Sequence, residues 1–332
     1  MLFRSYKERL EWADWWRGFS SKTGPETRVS ENEPLASKTT LRLGGVARFY
    51  IEPASLDDLI GAIRGAHGVK CPTFALGRGS NLIVPDEGFE GLVIRLNHRH
   101  WKELRDLGGG RIWAGAGARL KEICGYACRF GLAGFEFLEG IPGSLGGSLR
   151  MNAGAMGGWL FDVIESVKCI TPDGYIKEYS KDELTLGYRF CKNLENSLAI
   201  GAIFKSSEIE REEVIRQKLD SFANKRKATQ PREPSAGCIF KNPEGNYAGK
   251  LIEASGLKGL SVGAAEVSGV HGNFIINRGG ATAGDVVELV RTIRDRVHKD
   301  SGIYLEPEVL FLGKNWDEEL RVKEMKDRKS VV

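Results

Sequence analysis

The 332 residues exceed one typical domain, so length favours two or three units, each able to bury a core. Apolar residues at 41% and charged residues at 28% place the chain among ordinary soluble globular proteins. A net charge of +4 is too slight to argue for a nucleic-acid partner, and no apolar run approaches the about 20 residues that a membrane-spanning helix needs.

The opening stretch through Thr27 lacks the uncharged apolar segment of a secretory signal. Trp12, Trp15, Trp16 and Phe19 share one helical face, with Lys7, Asp14 and Arg17 near the opposite one, which predicts a helix packed on its own protein. Residues 1–30 are read as an N-terminal extension. A first lobe follows over 31–95: an alternating strand at Ala47–Ile51, a helix at Asp57–His67, then Pro72–Ala75 leading into the glycine turn Gly77–Asn81. Leu82 stands where a dinucleotide fingerprint needs its third glycine, and Ile83, Val84 and Pro85 read as extended, so the turn does not open a Rossmann helix. Gly245–Lys250 is one residue short of a Walker A loop, and Leu251 replaces its Ser or Thr. Gly77–Asn81 instead offers successive backbone N–H groups and the Ser80 hydroxyl to a pyrophosphate.

A second lobe spans 96–206. It has a strand at Arg111–Gly115, a helix at Leu120–Phe130 ended by Gly131, and a hairpin of Val163–Thr171 with Tyr175–Tyr179 about Pro172-Asp173-Gly174. Between them, from Gly140 to Gly158, the chain is mostly Gly, Ser and Ala with Arg150 as its only charge. That is the composition of backbone lying against a ligand, because glycine permits close approach and positive φ. A flat, bulky, partly anionic cofactor is the natural guest. The last domain is placed at 207–332, with a charged helix over Glu208–Lys227, a break at Gln230–Ser235, helices near Gly249–Ser255 and Gly284–Lys299, and strands near Phe274–Asn277 and Ile303–Leu312. In that final strand Leu305, Val309 and Phe311 fall on one face and Glu306 and Glu308 on the other. The six cysteines have no disulfide-scaffold rhythm, which points to a reduced setting, and Cys124 with Cys128 lacks the second pair that a zinc site needs; no metal is expected.

Gly140–Ala155, GIPGSLGGSLRMNAGA, closely resembles the flavin-contacting core of the UDP-N-acetylenolpyruvoylglucosamine reductase family. The likeness continues in the family's order through LGRGSNLIV at Leu76–Val84, Tyr188-Arg189, AGCIFKNP at Ala236–Pro243 and LEPEV at Leu305–Val309, covering nearly everything from about Glu31 to Gly313. The absence of an extra tyrosine-bearing loop around Tyr188-Arg189 resembles the shorter, type II form. The resemblance implies an α+β, three-lobed fold, in which two α/β lobes form a PCMH/VAO-like FAD-binding unit and the C-terminal α+β domain binds substrate. It implies a cytoplasmic, NADPH-dependent flavoenzyme, with non-covalent FAD, that reduces UDP-N-acetylglucosamine enolpyruvate to UDP-N-acetylmuramate for peptidoglycan synthesis.

Residue roles carried by the same resemblance are as follows. Cys238 stands where most members carry a serine proton donor, and a thiol, with an ordinary pKa of about 8.5, is mostly protonated at neutral pH and a better acid than a hydroxyl. Arg189 would hold the substrate carboxylate and its growing charge, as a bidentate guanidinium suits. Glu308 would assist polarisation or protonation. FAD contacts are expected from Gly77, Arg78, Gly79, Ser80 and Asn81, and from Ile141, Pro142, Gly143, Ser144, Gly147, Asn152, Ala153 and Gly154. Tyr188, Lys241 and Asn242 would face the UDP-sugar, while His271 is expected to be structural. Two other classes stay open: a sugar-alcohol oxidase, which would tether FAD through a residue such as His67 or Cys71 in an unsuitable setting, and a decayed flavin- or nucleotide-binding protein, which Cys238 invites and the joint presence of Arg189 and Glu308 opposes.

Overall fold

The computed structural model describes residues 6–206 and 208–320. Residues 1–5 of the expected extension, position 207 at the expected last boundary and residues 321–332 of the expected substrate domain lie outside the described residues. The chain forms two compact units, one of Met1–Asn32, Arg48–Arg78 and Glu90–Arg226, the other of Glu33–Ala47, Gly79–Phe89 and Lys227–Val332.

The first unit holds most of a four-stranded sheet ordered Arg28–Pro34, Val46–Glu52, Phe89–Ile94, Thr73–Ala75, whose last two strands run parallel. The helix Leu56–Gly68 starts where the Ser55 hydroxyl accepts from Asp58 N at 3.1 Å. Against this layer lies the helix Tyr6–Ser20, with Trp12 and Trp16 only 1% and 2% exposed among Phe49, Leu59, Ala62 and Ala66. Trp12 Nε1 donates to Val69 O at 2.9 Å, so the indole is satisfied as well as buried. Gly65 permits the contact, since a Cβ there would meet Trp15 Nε1 at 1.9 Å.

A five-stranded antiparallel sheet, ordered Ile176–Ser180, Ile164–Ile170, Leu198–Lys205, Arg111–Gly115, Leu104–Gly108, completes this unit. Its apolar cluster takes in Ile123, Cys124 and Ala127 from the helix Leu120–Arg129, Leu145 and Leu149 from the short helix Leu145–Arg150, and Val167 and Phe204 from the sheet.

The second unit has an antiparallel sheet ordered Ser235–Cys238, Phe274–Asn277, Ala265–Val267, Ser261–Val262. The helix Ala283–Ser301 packs Val286, Leu289, Val290 and Ile293 into a core shared with Phe240, Ile252 and Ile275. Thr282 and Asp285 form its capping box, and Gly302, at φ +73°, ends it in the left-handed conformation. The early segment is stitched on by Thr40 Oγ1 donating to Ser235 O at 2.6 Å and Asn277 Nδ2 donating to Leu41 O at 2.9 Å.

One expectation is overturned here. The strand over Ile303–Leu312 shrinks to Leu310–Phe311, which pairs in parallel with Leu82–Ile83, while Pro307 makes only an isolated bridge to Phe240. Proline has no N–H for a ladder, and the chain before it is irregular. The facing pattern survives nonetheless, with Leu305, Val309 and Phe311 buried.

Replacing Trp12 with Ala should cost about 3–5 kcal/mol of stability, the range for truncating a large aromatic in a core. Urea unfolding followed by circular dichroism checks this, with Leu10→Ala, at 47% exposure, as the near-neutral control. An unshifted midpoint in Trp12→Ala would show that the N-terminal helix contributes nothing to the core.

Candidate functional site

The glycine-rich stretch of the first unit is fixed by its own backbone. Leu145 N donates to Ala118 O at 2.9 Å and Gly146 N to Ala116 O at 2.8 Å, which draws the start of the short helix against the strand end at Gly115. Glycine eases this approach at 146, where a Cβ would sit 3.2 Å from that of Ala116, closer than an ordinary contact. Gly77 lies against Ser144, whose hydroxyl would sit 2.5 Å from a Cβ at 77. A Cβ at Gly147, by contrast, would meet no heavy atom within 4 Å, so that face of the helix is open. Ile141, Pro142 and Gly143 lead into it through a tight turn in which Gly143 N donates to Ile141 O at 2.8 Å.

Asn152 leaves that helix at φ +39° and is 8% exposed. Its Nδ2 donates to Gly187 O at 3.2 Å, but its Oδ1 finds no hydrogen-bond partner among the described residues. Arg78 Nε is likewise buried without a partner there, and burial, then the nearby Arg119 and Arg95, pull the Arg78 pKa down. Buried polar atoms are normally paired. Together, one orphaned acceptor, one orphaned donor and the open face at Gly147 fit a cofactor with a ring N–H and phosphate oxygens. Ala153 N donates to Ser148 O at 2.9 Å, and Gly154 pairs with Trp159 across a small hairpin, where a Cβ would strike the indole at 2.6 Å.

Gly187 belongs to a second small hairpin, Leu186–Gly187 with Phe190–Cys191, and Tyr188 and Arg189 are its two turn residues. Arg189 has φ +57°, a conformation that costs a residue with a Cβ about 1–2 kcal/mol. Its guanidinium carbon sits 5.2 Å from the Tyr188 ring centroid and 5.7 Å from that of Trp159, and the two rings meet edge to face at 5.8 Å.

The second unit carries the other expected residues. Gly237, at φ +78°, makes a bulge in the strand Ser235–Cys238, and a Cβ there would lie 3.5 Å from Ser80 O. Asn273, 3% exposed, clamps the next residue: its Oδ1 accepts from Phe240 N at 2.9 Å and its Nδ2 donates to Phe240 O at 2.8 Å. Beyond the clamp, Glu308 N donates to Ile239 O at 2.7 Å and Lys241 N to Glu306 O at 2.9 Å, which sets the backbone of Glu308 beside Ile239, one residue from Cys238. Leu310 N donates to Asn81 O at 3.1 Å, and Gly79 packs on Thr39, 2.8 Å from where its Cβ would be. Five of the six cysteines are buried; Cys238 alone is partly exposed. Lys241 pairs with Glu306, and Asn242 Oδ1 accepts from Ala248 N at 3.0 Å at the start of the helix Ala248–Ala254.

Thus Gly77, Arg78, Ile141 to Gly154, Tyr188 and Arg189 belong to the first unit, and Gly79, Ser80, Asn81, Cys238, Lys241, Asn242 and Glu308 to the second. His271 accepts from Asn273 N through Nδ1 at 3.1 Å, and burial lowers its pKa. Asn273 and Trp159 were given no role by the sequence reading; a lone asparagine in a turn and a tryptophan just past a glycine run carry no periodic signal. Among the described residues no group of three or more His, Cys, Asp or Glu side chains could hold a metal ion, and no helix is long and apolar enough to cross a membrane.

Residues 47–180 match the profile of an FAD binding domain, and residues 230–312 that of the C-terminal domain of UDP-N-acetylenolpyruvoylglucosamine reductase. The reductase of that name from Syntrophomonas wolfei is 39% identical over 292 residues, 87% of this chain and 96% of its own length. That from Listeria monocytogenes serovar 1/2a is 38% identical over 88% of this chain and 97% of its own length. The crystal structure of UDP-N-acetylenolpyruvylglucosamine reductase from Thermus caldophilus superposes with a TM-score of 0.75 at 39% identity, covering 86% of this chain and 99% of that one. With such relatives aligned over nearly their full lengths, the chain belongs to the UDP-N-acetylenolpyruvoylglucosamine reductase family.

Proposed function

We propose that this protein is the short, type II form of an FAD-dependent reductase that converts UDP-N-acetylglucosamine enolpyruvate to UDP-N-acetylmuramate with NADPH, in the cytoplasm, for peptidoglycan synthesis. The single observation that carries this reading is the near full-length alignment at 39% identity with a reductase of that name. The orphaned Asn152 Oδ1 and Arg78 Nε support bound FAD, and the partial exposure of Cys238 supports a role in proton transfer.

When bound, FAD supplies the redox ring that takes hydride from NADPH and passes it to the enolpyruvyl double bond. The chain's own work is to bind and protonate. Hydride addition at the β-carbon leaves negative charge on the α-carbon, delocalised into the carboxylate. Arg189, already held in a strained turn, neutralises that charge through paired N–H donors to the carboxylate. The Cys238 thiol gives its proton to the α-carbon, and the bulge at Gly237 presents it away from the core. Glu308 polarises the reacting end. Lys241, Asn242 and Tyr188 face the nucleotide-sugar, with the amide nitrogen of Asn242 as the donor to a diphosphate oxygen. Asn152 Oδ1 would accept from a flavin ring N–H, Arg78 Nε would donate to the pyrophosphate, and the backbone of Gly79, Ser80 and Asn81 would add N–H groups.

Cys238→Ala should leave bleaching of the flavin by NADPH nearly intact and lower turnover of the enolpyruvyl nucleotide by about 100-fold or more, the usual weight of general acid catalysis. Cys238→Ser should retain much of the activity. Full turnover in the alanine variant would remove the thiol from the reaction.

Asn152→Gly tolerates the positive φ while deleting the amide, and it should raise the dissociation constant of FAD about 5- to 100-fold, as expected for losing a buried hydrogen-bond partner. Flavin fluorescence on release measures it. An unchanged constant would show that this amide does not hold the cofactor.

A further inference from the structure

The ring of Trp159 has no part in the roles given above, yet it faces Arg189. Three observations tie it there. Its centroid is 5.7 Å from the Arg189 guanidinium carbon, within the range in which an aromatic face attracts a cation. It meets Tyr188, the residue before Arg189, edge to face at 5.8 Å. And it is anchored from behind: its backbone pairs with Gly154, its N donates to Asp162 Oδ2 at 2.8 Å, and a Cβ at Gly154 would collide with the indole. The two small hairpins are therefore joined twice, by Asn152 to Gly187 and by Trp159 to Tyr188 and Arg189.

Ordering a long, rotamer-rich side chain such as arginine against a ligand costs about 0.5–1.5 kcal/mol, and each contact that holds it beforehand lowers that cost. Trp159 is 37% exposed and Tyr188 51%, so the guanidinium lies over rings that are partly dry yet open on one side. We infer that Trp159 is a positioning residue for substrate: with Tyr188 it holds the Arg189 guanidinium in place by cation–π attraction, ready for the carboxylate of the enolpyruvyl group. The attraction uses the flat faces of the cation and the ring, so the N–H edge of the guanidinium remains for bidentate pairing. The inference rests on the role of Arg189 proposed above.

Trp159→Leu keeps an apolar side chain in the hairpin while deleting the aromatic face. In the FAD-loaded enzyme it should weaken binding of the enolpyruvyl nucleotide, measured directly by calorimetry, and lower kcat/KM by roughly 2- to 30-fold, the span of a cation–π contact. Trp159→Phe should restore most of both. The dissociation constant of FAD and the rate of flavin bleaching by NADPH should not move, whereas a merely structural role would shift them. In an Arg189→Met background, which removes the cation, Trp159→Leu should cost clearly less than it does beside arginine, because the two act as one unit. If Trp159→Leu binds substrate as the parent does, or if its cost is the same in both backgrounds, Trp159 does not position Arg189. If Arg189→Met itself retains full activity, the carboxylate-binding role fails, and the inference falls with it for that separate reason.

Discussion

The amide of Asn152 faces two ways, and much of the first unit depends on that. Its nitrogen is spent on Gly187 O, which fixes the hairpin that carries Tyr188 and Arg189. Its oxygen is buried with no protein partner among the described residues, an arrangement that a ligand N–H would satisfy. One side chain thereby links the glycine-rich segment proposed to hold the cofactor to the turn proposed to grip substrate. The positive φ at 152 is the local cost, and asparagine is among the few residues with a Cβ that tolerate it. The glycines around it act by absence: 146 admits the strand end at Ala116, 154 admits the indole of Trp159, and 147 leaves a face open.

In the second unit the same economy is achieved by a bulge and a clamp. Gly237 turns the strand so that Cys238 leaves the buried ladder partly exposed, and Asn273 then returns the chain to the core by taking both hydrogen-bonding groups of Phe240. With the clamped Phe240 and its neighbour Ile239 both 1% exposed, the backbone next to Cys238 has little freedom to wander. Pro307 contributes by what it cannot do. It interrupts the ladder, and the segment bearing Glu308 lies along Ile239 and Phe240 by single contacts instead of as a regular strand. A proton donor benefits from such fixed placement, since catalysis by a positioned group is lost when the group is about 1 Å out of place.

Legibility in the sequence followed the physics of each feature. The helix at Leu56–Gly68, the hairpin about Gly174 and the helix at Ala283–Ser301 were readable because periodicity, caps and turn residues are local signals. The close backbone packing of the glycine segment was readable from composition, because glycine at 146 and 154 lets the chain approach Ala116 and Trp159. Ile303–Leu312 misled, since its alternation is real as burial but Pro307 denies it the hydrogen bonds of a strand. Asn273, Trp159 and the unmet oxygen of Asn152 could not be read at all. Each is defined by what lies next to it across tens of residues, and a single chain without coordinates does not carry that. Cys238 stood out only by family resemblance; its distinction among six cysteines, as the one partly exposed, is a fact of the fold.

The central claim is that the enolpyruvyl nucleotide is the oxidant of the reduced flavin. The most direct test is anaerobic stopped-flow spectroscopy of the purified holoenzyme, reduced with one equivalent of NADPH and then mixed with UDP-N-acetylglucosamine enolpyruvate. The account predicts that the yellow absorbance returns stoichiometrically and that UDP-N-acetylmuramate forms in equal amount. A flavin that stays bleached with the nucleotide present, and regains colour only when oxygen is admitted, would contradict it.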